Sequence, residues 1–364
     1  MFAMYFEDLA TELIEQIFIS CTTVESVAAL SSTCHRFHSI YSSRKLSVLA
    51  HVAEGQYGPL HDITQLLTHN DSQFAHIPRS VPFSLALLAQ IVRTGRVAVR
   101  WANLYPFKKW KLDSENRRLL TSTERYRVRR AIYRLWLFTA AFHTPYHPRH
   151  TRDNPTMQHE RTMLLHNFST IQLAEMADMH AMMRDVLSSN VCPSNGTIAR
   201  KFRKRFPDPA DYQLVFNMNI HLNYPTAADH YTHTRSLPAA LLNSPFYAKY
   251  RATPHHEPGA EGWGDDITQY YIVEDMLKLS PEQILWLKEN APYKRQVKAY
   301  VKELGDWFEN NGETFGQTLE LVICERDGGL EDAIGLFWDA VGCGRAGATK
   351  DEEDEEWREE GEEW

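Results

Sequence analysis

Apolar residues three and four positions apart recur along this chain, in runs opened by a capping residue and closed by Gly, Pro or a polar cluster. That spacing is the period of an α-helix, whereas a strand needs strict alternation. Leu13 and Ile17 are four apart, as are Ile14 and Phe18, which paints a helical face. Thr22-Thr-Val-Glu25 reads as a capping box that opens a second helix carrying Val24, Val27, Ala28 and Leu30. Ser31-Ser-Thr interrupts the pattern, and Cys34, Phe37, Ile40 and Tyr41 resume it. Three short helices within residues 1–50 bury too little surface to be robust alone, so they need a partner or the rest of the chain.

The helical signals continue. Residues 59–68 and 82–93 are amphipathic, and Thr121-Ser-Thr-Glu124 is a second capping box opening a long helix through Phe142. Pro145 and Pro148 end it. Residues 157–189 read as one or two helices, while alternation of Leu214, Phe216, Met218, Ile220 and Leu222 leaves a strand possible. A Pro/Gly-rich loop over 254–264 leads to a cap at Asp266-x-x-Gln269 and a helix to about Leu279. Ser280-Pro-Glu-Gln283 opens the next helix. Helices follow over 294–310, closed by Gly312, and over 314–325 and 330–341. No repeat with a period of about 20–50 residues is present. The expected fold is mostly α.

Composition narrows the class. The chain is 43% hydrophobic and 12% aromatic, enough for a sizeable core. No apolar run approaches the roughly 20 residues a membrane span needs, so no membrane is expected. The N-terminus has acids among its apolar residues and no basic stretch, unlike a signal peptide. The five cysteines are scattered with no Cys-x-x-Cys pair, which predicts reduced thiols and a cytoplasmic or nuclear location. The sequons at Asn167 and Asn195 are then chance matches.

Charge is uneven. Residues 351–364 hold ten acids against Arg358, so the net −8 of the chain leaves the first 350 residues at +1. Between Arg93 and Arg134 thirteen Lys/Arg face only Asp113, Glu115 and Glu124. The aromatic, Arg-rich stretch over 125–136 has the chemistry for nucleic acid, cations for phosphates and rings for bases. The nearly neutral body favours instead a solvated or internally paired face around a buried Tyr/Trp stripe, and nucleic acid is not expected as a partner. The acidic tail is expected to be disordered, with Trp357 and Trp364 as apolar hooks able to fold back on the basic segment.

Catalytic and metal motifs fail on context. Gly342-Cys-Gly-Arg-Ala-Gly347 has the spacing of a dinucleotide fingerprint, but a helical pattern precedes it and acids follow it. His159-Glu-Arg-Thr-Met163 lacks the second His of a zinc protease motif. Pro145 denies His143 and His147 a shared helical face, and His255-His-Glu257 offers at most a loop site. No catalytic residue, cofactor or metal is expected.

Leu9-Ala-Thr-Glu-Leu-Ile-x-x-Ile-Phe, then Val27-x-x-Leu30 and Ser31-x-x-Cys34-x-x-Phe37, resemble the F-box. The stretches Arg125-Tyr-Arg-x-Arg-Arg-Ala-x-Tyr-Arg-Leu-Trp and Gly262-Trp-Gly-Asp-Asp-Ile resemble F-box proteins of filamentous fungi. The resemblance implies a three-helix F-box over residues 1–50 that binds the Skp adaptor of a cullin–RING ubiquitin ligase. It implies an irregular helical domain over 51–345 for an unidentified protein substrate, followed by the acidic disordered tail over 346–364. Leu9, Ala10, Glu12, Leu13, Ile17, Leu30, Cys34 and Phe37 are then expected at or beside the adaptor contact, some of them as core. Ala10 stands where the family usually has Pro; Ala forms helix well, so the helix is expected to persist while the rigid first turn is lost. An F-box scaffold that works outside any ligase is the alternative.

Overall fold

The computed structural model describes residues 9–70, 72–111, 115, 117–205, 262–326 and 331–342. These residues are mostly helical, with fourteen α-helices and no strand among them. The possible strand at 212–223, most of the 254–264 loop with His255 and His256, and the acidic tail lie outside the described residues, as does the glycine motif beyond Gly342.

The chain forms two compact units. The first holds α1 (Thr11–Ile19), α2 (Val24–Ser31), α3 (His35–Tyr57), α4 (Leu60–Thr68), α5 (Leu85–Lys109), α6 (Ser122–Phe142) and α7 (Pro155–His166). It also takes residues 170–180 of α8 (Thr170–Val186), then α13 (Phe315–Arg326) and α14 (Glu331–Gly342). The second holds residues 143–154, the end of α8, α9 (Asn195–Arg205), α10 (Asp266–Met276), α11 (Pro281–Asn290) and α12 (Lys294–Leu304).

In the first unit α1 and α2 lie against α3, α3 against α5, and α5 against α6, with α4 on α5 and α6. The approach of α3 to α5 is close because residue 95 is Gly: a Cβ there would lie 2.4 Å from Tyr57 Cδ1. Tyr57 is buried, and its carbonyl accepts from the buried Tyr133 hydroxyl at 2.7 Å. Arg129 on α6 donates from Nε to the Gly58 carbonyl at 2.9 Å, which satisfies an acceptor beyond the C-terminus of α3. Burial of Arg129 makes its guanidinium less basic than usual.

The Arg-rich stretch is an internally paired face. Arg130 grips Glu175 on α8 with Nε at 3.0 Å and Nη2 at 2.6 Å, and Arg127 stands 3.9 Å from the same carboxylate. Arg134 pairs with Asp62 on α4 at 2.7 Å and lies 4.3 Å from the centre of the Phe168 ring. Lys109 pairs with Asp178 at 2.7 Å, and the Tyr105 hydroxyl donates to that same carboxylate. Burial pushes the Glu175 carboxyl above its ordinary range despite Arg130 and Arg127.

In the second unit Asp275 holds a loop. Its carboxylate accepts from the backbone N–H groups of Asn310, Asn311 and Gly312 at 2.8, 2.9 and 2.7 Å. Positive φ at Asn310 (54°) and Gly312 (59°) turns these donors toward it. Lys278 is buried beside it, 3.1 Å from Asp275, and donates to the Phe308 carbonyl.

Several expectations shift by a residue or more. Thr23, and not Thr22, caps α2, accepting from Ser26 N at 3.0 Å. Asp265, and not Asp266, caps α10, accepting from Thr268 N at 2.8 Å. In each case two adjacent residues have capping side chains, and the turn uses the first residue outside the helix. The helix expected over 294–310 ends at Leu304, where Gly305 takes φ 94°. The helix expected to stop at Arg93 runs on to Lys109. The boundary expected at residue 50 falls inside α3, which kinks earlier, at Arg44 (φ −119°, ψ 16°). The boxes at Thr121–Glu124 and Ser280–Gln283 form with both reciprocal bonds.

Candidate partner-docking face

Helix α1 has two apolar sides. Ile14 and Phe18 are fully buried and join Val27, Phe37, Val48, Leu49, Val52, Ala53 and Leu88 in one core. Phe18 meets Phe37 edge-on at 6.0 Å between ring centres and Tyr41 at 5.7 Å. Leu13 is 52% exposed, and Ile17, one turn on, is half-buried. The two four-apart pairs in the sequence therefore divide: Ile14 and Phe18 point in, Leu13 and Ile17 point out.

The expected contact residues differ in exposure. Ala10, Glu12 and Leu13 are exposed and Ile17 is half-buried, while Leu9, Leu30 and Cys34 are half-buried at the rim of the core. Phe37 is the exception: at 3% exposure it belongs to the interior and offers no surface to a partner. An aromatic at that spacing reads the same from sequence whether it faces in or out. Cys34 has a local role, since its Sγ accepts from Phe37 N at 3.5 Å and caps α3.

Ala10 is the residue before the first helical turn, and its carbonyl accepts from Leu13 N at 3.1 Å and Ile14 N at 3.2 Å. Its φ is −59° and its ψ 147°. A proline ring imposes a φ near −65°, so the backbone here already has the conformation of the residue the F-box pattern usually places at this position. The Leu9 carbonyl accepts from Arg36 on α3, which fixes the approach to α1.

On α2, Glu25 faces solvent and pairs with Arg96 of α5 at 3.0 Å, with Gln56 also in reach at 3.4 Å. A backbone hydrogen bond and Arg96 hold its carboxyl below the usual range. Burial raises the Cys21 thiol. The acids that pair with α5 and α6 are not apparent from the sequence, because Asp62, Glu175 and Asp178 lie far from their partners in the chain. Their one sequence signal is position: each is an acid among apolar neighbours within a helix.

Among the described residues no group of three or more His, Cys, Asp or Glu side chains is placed to hold a metal ion. His143 is occupied by Thr314, whose backbone N–H lies 3.3 Å from Nε2. No described helix is long and apolar enough to cross a membrane. Compared with known proteins, the chain matches no family model, no curated protein and no solved structure.

Proposed function

We propose that the chain is the substrate-recognition subunit of a Skp–cullin–F-box ubiquitin ligase, with no catalysis of its own. Its N-terminal helices bind the Skp adaptor, and the helical body receives an unidentified protein target. The observation that carries this reading is the exposed Leu13 on a helix whose neighbouring Ile14 and Phe18 are fully buried. Burial of Ile14 and Phe18 ties one side of α1 to its own core and leaves Leu13, on another side, open to a partner. Covering the rest of Leu13 contributes on the order of 1 kcal/mol, and neighbouring Ile17 and Leu9 add to it. The proline-like backbone of Ala10 at the family position supports the same reading.

The test is capture by recombinant Skp adaptor, followed by addition of cullin. Wild type is expected to be retained and Leu13→Asp or Leu9→Asp to be lost, because each places a charge against an apolar partner face. Wild-type chain that ignores the adaptor refutes the reading. Adaptor capture without cullin supports the scaffold alternative in place of the ligase.

A further inference from the structure

In the second unit Trp286 projects from α11 at 47% exposure and stacks on the half-buried Tyr300 of α12, with ring centres 5.3 Å and planes 28° apart. Gln283 lies one turn before Trp286 on the same face of α11. Its Oε1 accepts from Ser280 N at 2.8 Å in the capping box, and its side chain is also hydrogen-bonded to Tyr300. The box and the stack hold two rings from different helices in one arrangement, so little side-chain freedom is left to lose on binding.

The surroundings of the two rings are acidic. Glu303 lies one turn after Tyr300 on α12, is exposed and makes no ion pair among the described residues. Glu282 lies one turn before Trp286 on α11. Burial holds the Tyr300 phenol above its ordinary range, and the charges of Glu282 and Glu303 push it the same way, so both carboxylates act at this ring. The cations of these helices face elsewhere. Lys288 and Lys302 each follow a ring residue by two positions, which puts them on the opposite side of the helix. Lys294 and Lys298 lie over the Trp263 ring at 5.2 and 6.0 Å, and Arg295 lies over Tyr293 at 5.5 Å.

Each feature selects the same kind of partner. The face of an indole is negative and attracts a cation more strongly than any other aromatic side chain does. An apolar partner would bury the Glu303 carboxylate without compensation, and an anion would be repelled by it. A shelf that leaves Trp286 about half exposed does not enclose a small molecule, whose sites bury most of the ligand surface. We propose that Trp286 and Tyr300 form a docking shelf for a basic segment of a protein partner, with an Arg or Lys side chain over the Trp286 indole and its charge toward Glu303. The inference does not depend on adaptor docking, which uses α1 in the other compact unit.

The test titrates a fluorescein-labelled Arg-Gly-Ser repeat peptide into the full chain and follows anisotropy. Wild type is expected to bind it and to ignore the matching Glu-Gly-Ser repeat. Trp286→Ala keeps every charge of the chain and should weaken binding at least about fivefold. Trp286→Leu, which keeps apolar bulk against Tyr300 without a π face, should weaken it by as much, and Trp286→Phe should recover part of the loss. Glu303→Gln keeps both rings and should weaken binding at least about twofold. Tyr271→Ala removes an aromatic on α10 that is 65% exposed and should leave binding unchanged. Circular dichroism and the urea midpoint check that each variant is folded. Absence of binding to wild type overturns the proposal, as does equal binding of the Glu-Gly-Ser repeat. Binding that survives Trp286→Ala or Trp286→Leu overturns it too, because net charge or packing alone then holds the peptide. So does indifference to Glu303→Gln, or a loss with Tyr271→Ala as large as that with Trp286→Ala.

Discussion

Leu13 and Ile14 are neighbours in sequence and opposites in environment: Ile14 is fully buried while Leu13 is 52% exposed. Substitutions at the two positions should therefore separate stability from binding. Ile14→Ala opens a cavity in the core shared with Phe18 and Phe37 and should cost about 2–5 kcal/mol in urea unfolding. Leu13→Asp should change stability by less than about 1 kcal/mol, because its carboxylate reaches water, yet abolish adaptor capture. Equal destabilisation by the two would mean that Leu13 is core, and the docking face would be lost with it.

Ala10→Pro should be tolerated. The native φ of −59° is one that proline adopts without strain, and proline narrows the unfolded ensemble. The expected gain is about 0.4–1 kcal/mol in thermal or urea unfolding. A loss of stability would show that the first turn depends on the amide hydrogen or the conformational freedom that proline removes.

Arg130 and Glu175 form an enclosed ion pair on α6, with side-chain exposures of 19% and 2%. Arg130→Ala leaves a buried carboxylate whose nearest remaining ion-pair partner is Arg127 at 3.9 Å and should cost about 3–5 kcal/mol. Replacing both members with apolar residues, Arg130→Met with Glu175→Leu, should restore most of that loss, because neither charge then remains to be desolvated. Additive losses in the double variant would show that the pair contributes more than its burial costs.

Helices were legible in this sequence because their cause is local: apolar spacing and capping side chains act within a few residues. The Ser280–Gln283 box is complete in both sequence and structure, down to the reciprocal bonds. Where two capping residues adjoin, as at Thr22 and Thr23 or Asp265 and Asp266, the local signal is degenerate and tertiary packing sets the register. The direction of a side chain was harder to read. Phe37 and Leu13 are both apolar residues at helical spacing, and only the placement of α3 against α1 makes one core and the other surface. The ion pairs were not legible at all, since Arg130 and Glu175 are 45 positions apart and meet only when α6 and α8 dock.

Lys278 gives the fold a defined response to alkali. Its side chain is buried, and that burial pushes its pKa down to about 8 although Asp275 opposes the shift. The folded amine thus loses its proton near pH 8, while the unfolded one keeps it until about pH 10.4. Between those values the unfolded state binds more protons, so this group makes stability rise with pH, by an amount on the order of 3 kcal/mol over the full window. Below about pH 8 both states are protonated and the contribution is flat. Other groups titrate in this range, burial holding the Cys192 thiol and the Tyr133 phenol above their usual values with the opposite sign. The informative quantity is therefore the difference in unfolding free energy between wild type and Lys278→Met, measured in urea at about pH 7.5 and about pH 10. That difference should move in favour of wild type as pH rises, because Met has no proton to lose. A difference that stays constant would mean that the Lys278 amine keeps its charge in the folded protein, held by Asp275 and the Phe308 carbonyl strongly enough to cancel its desolvation.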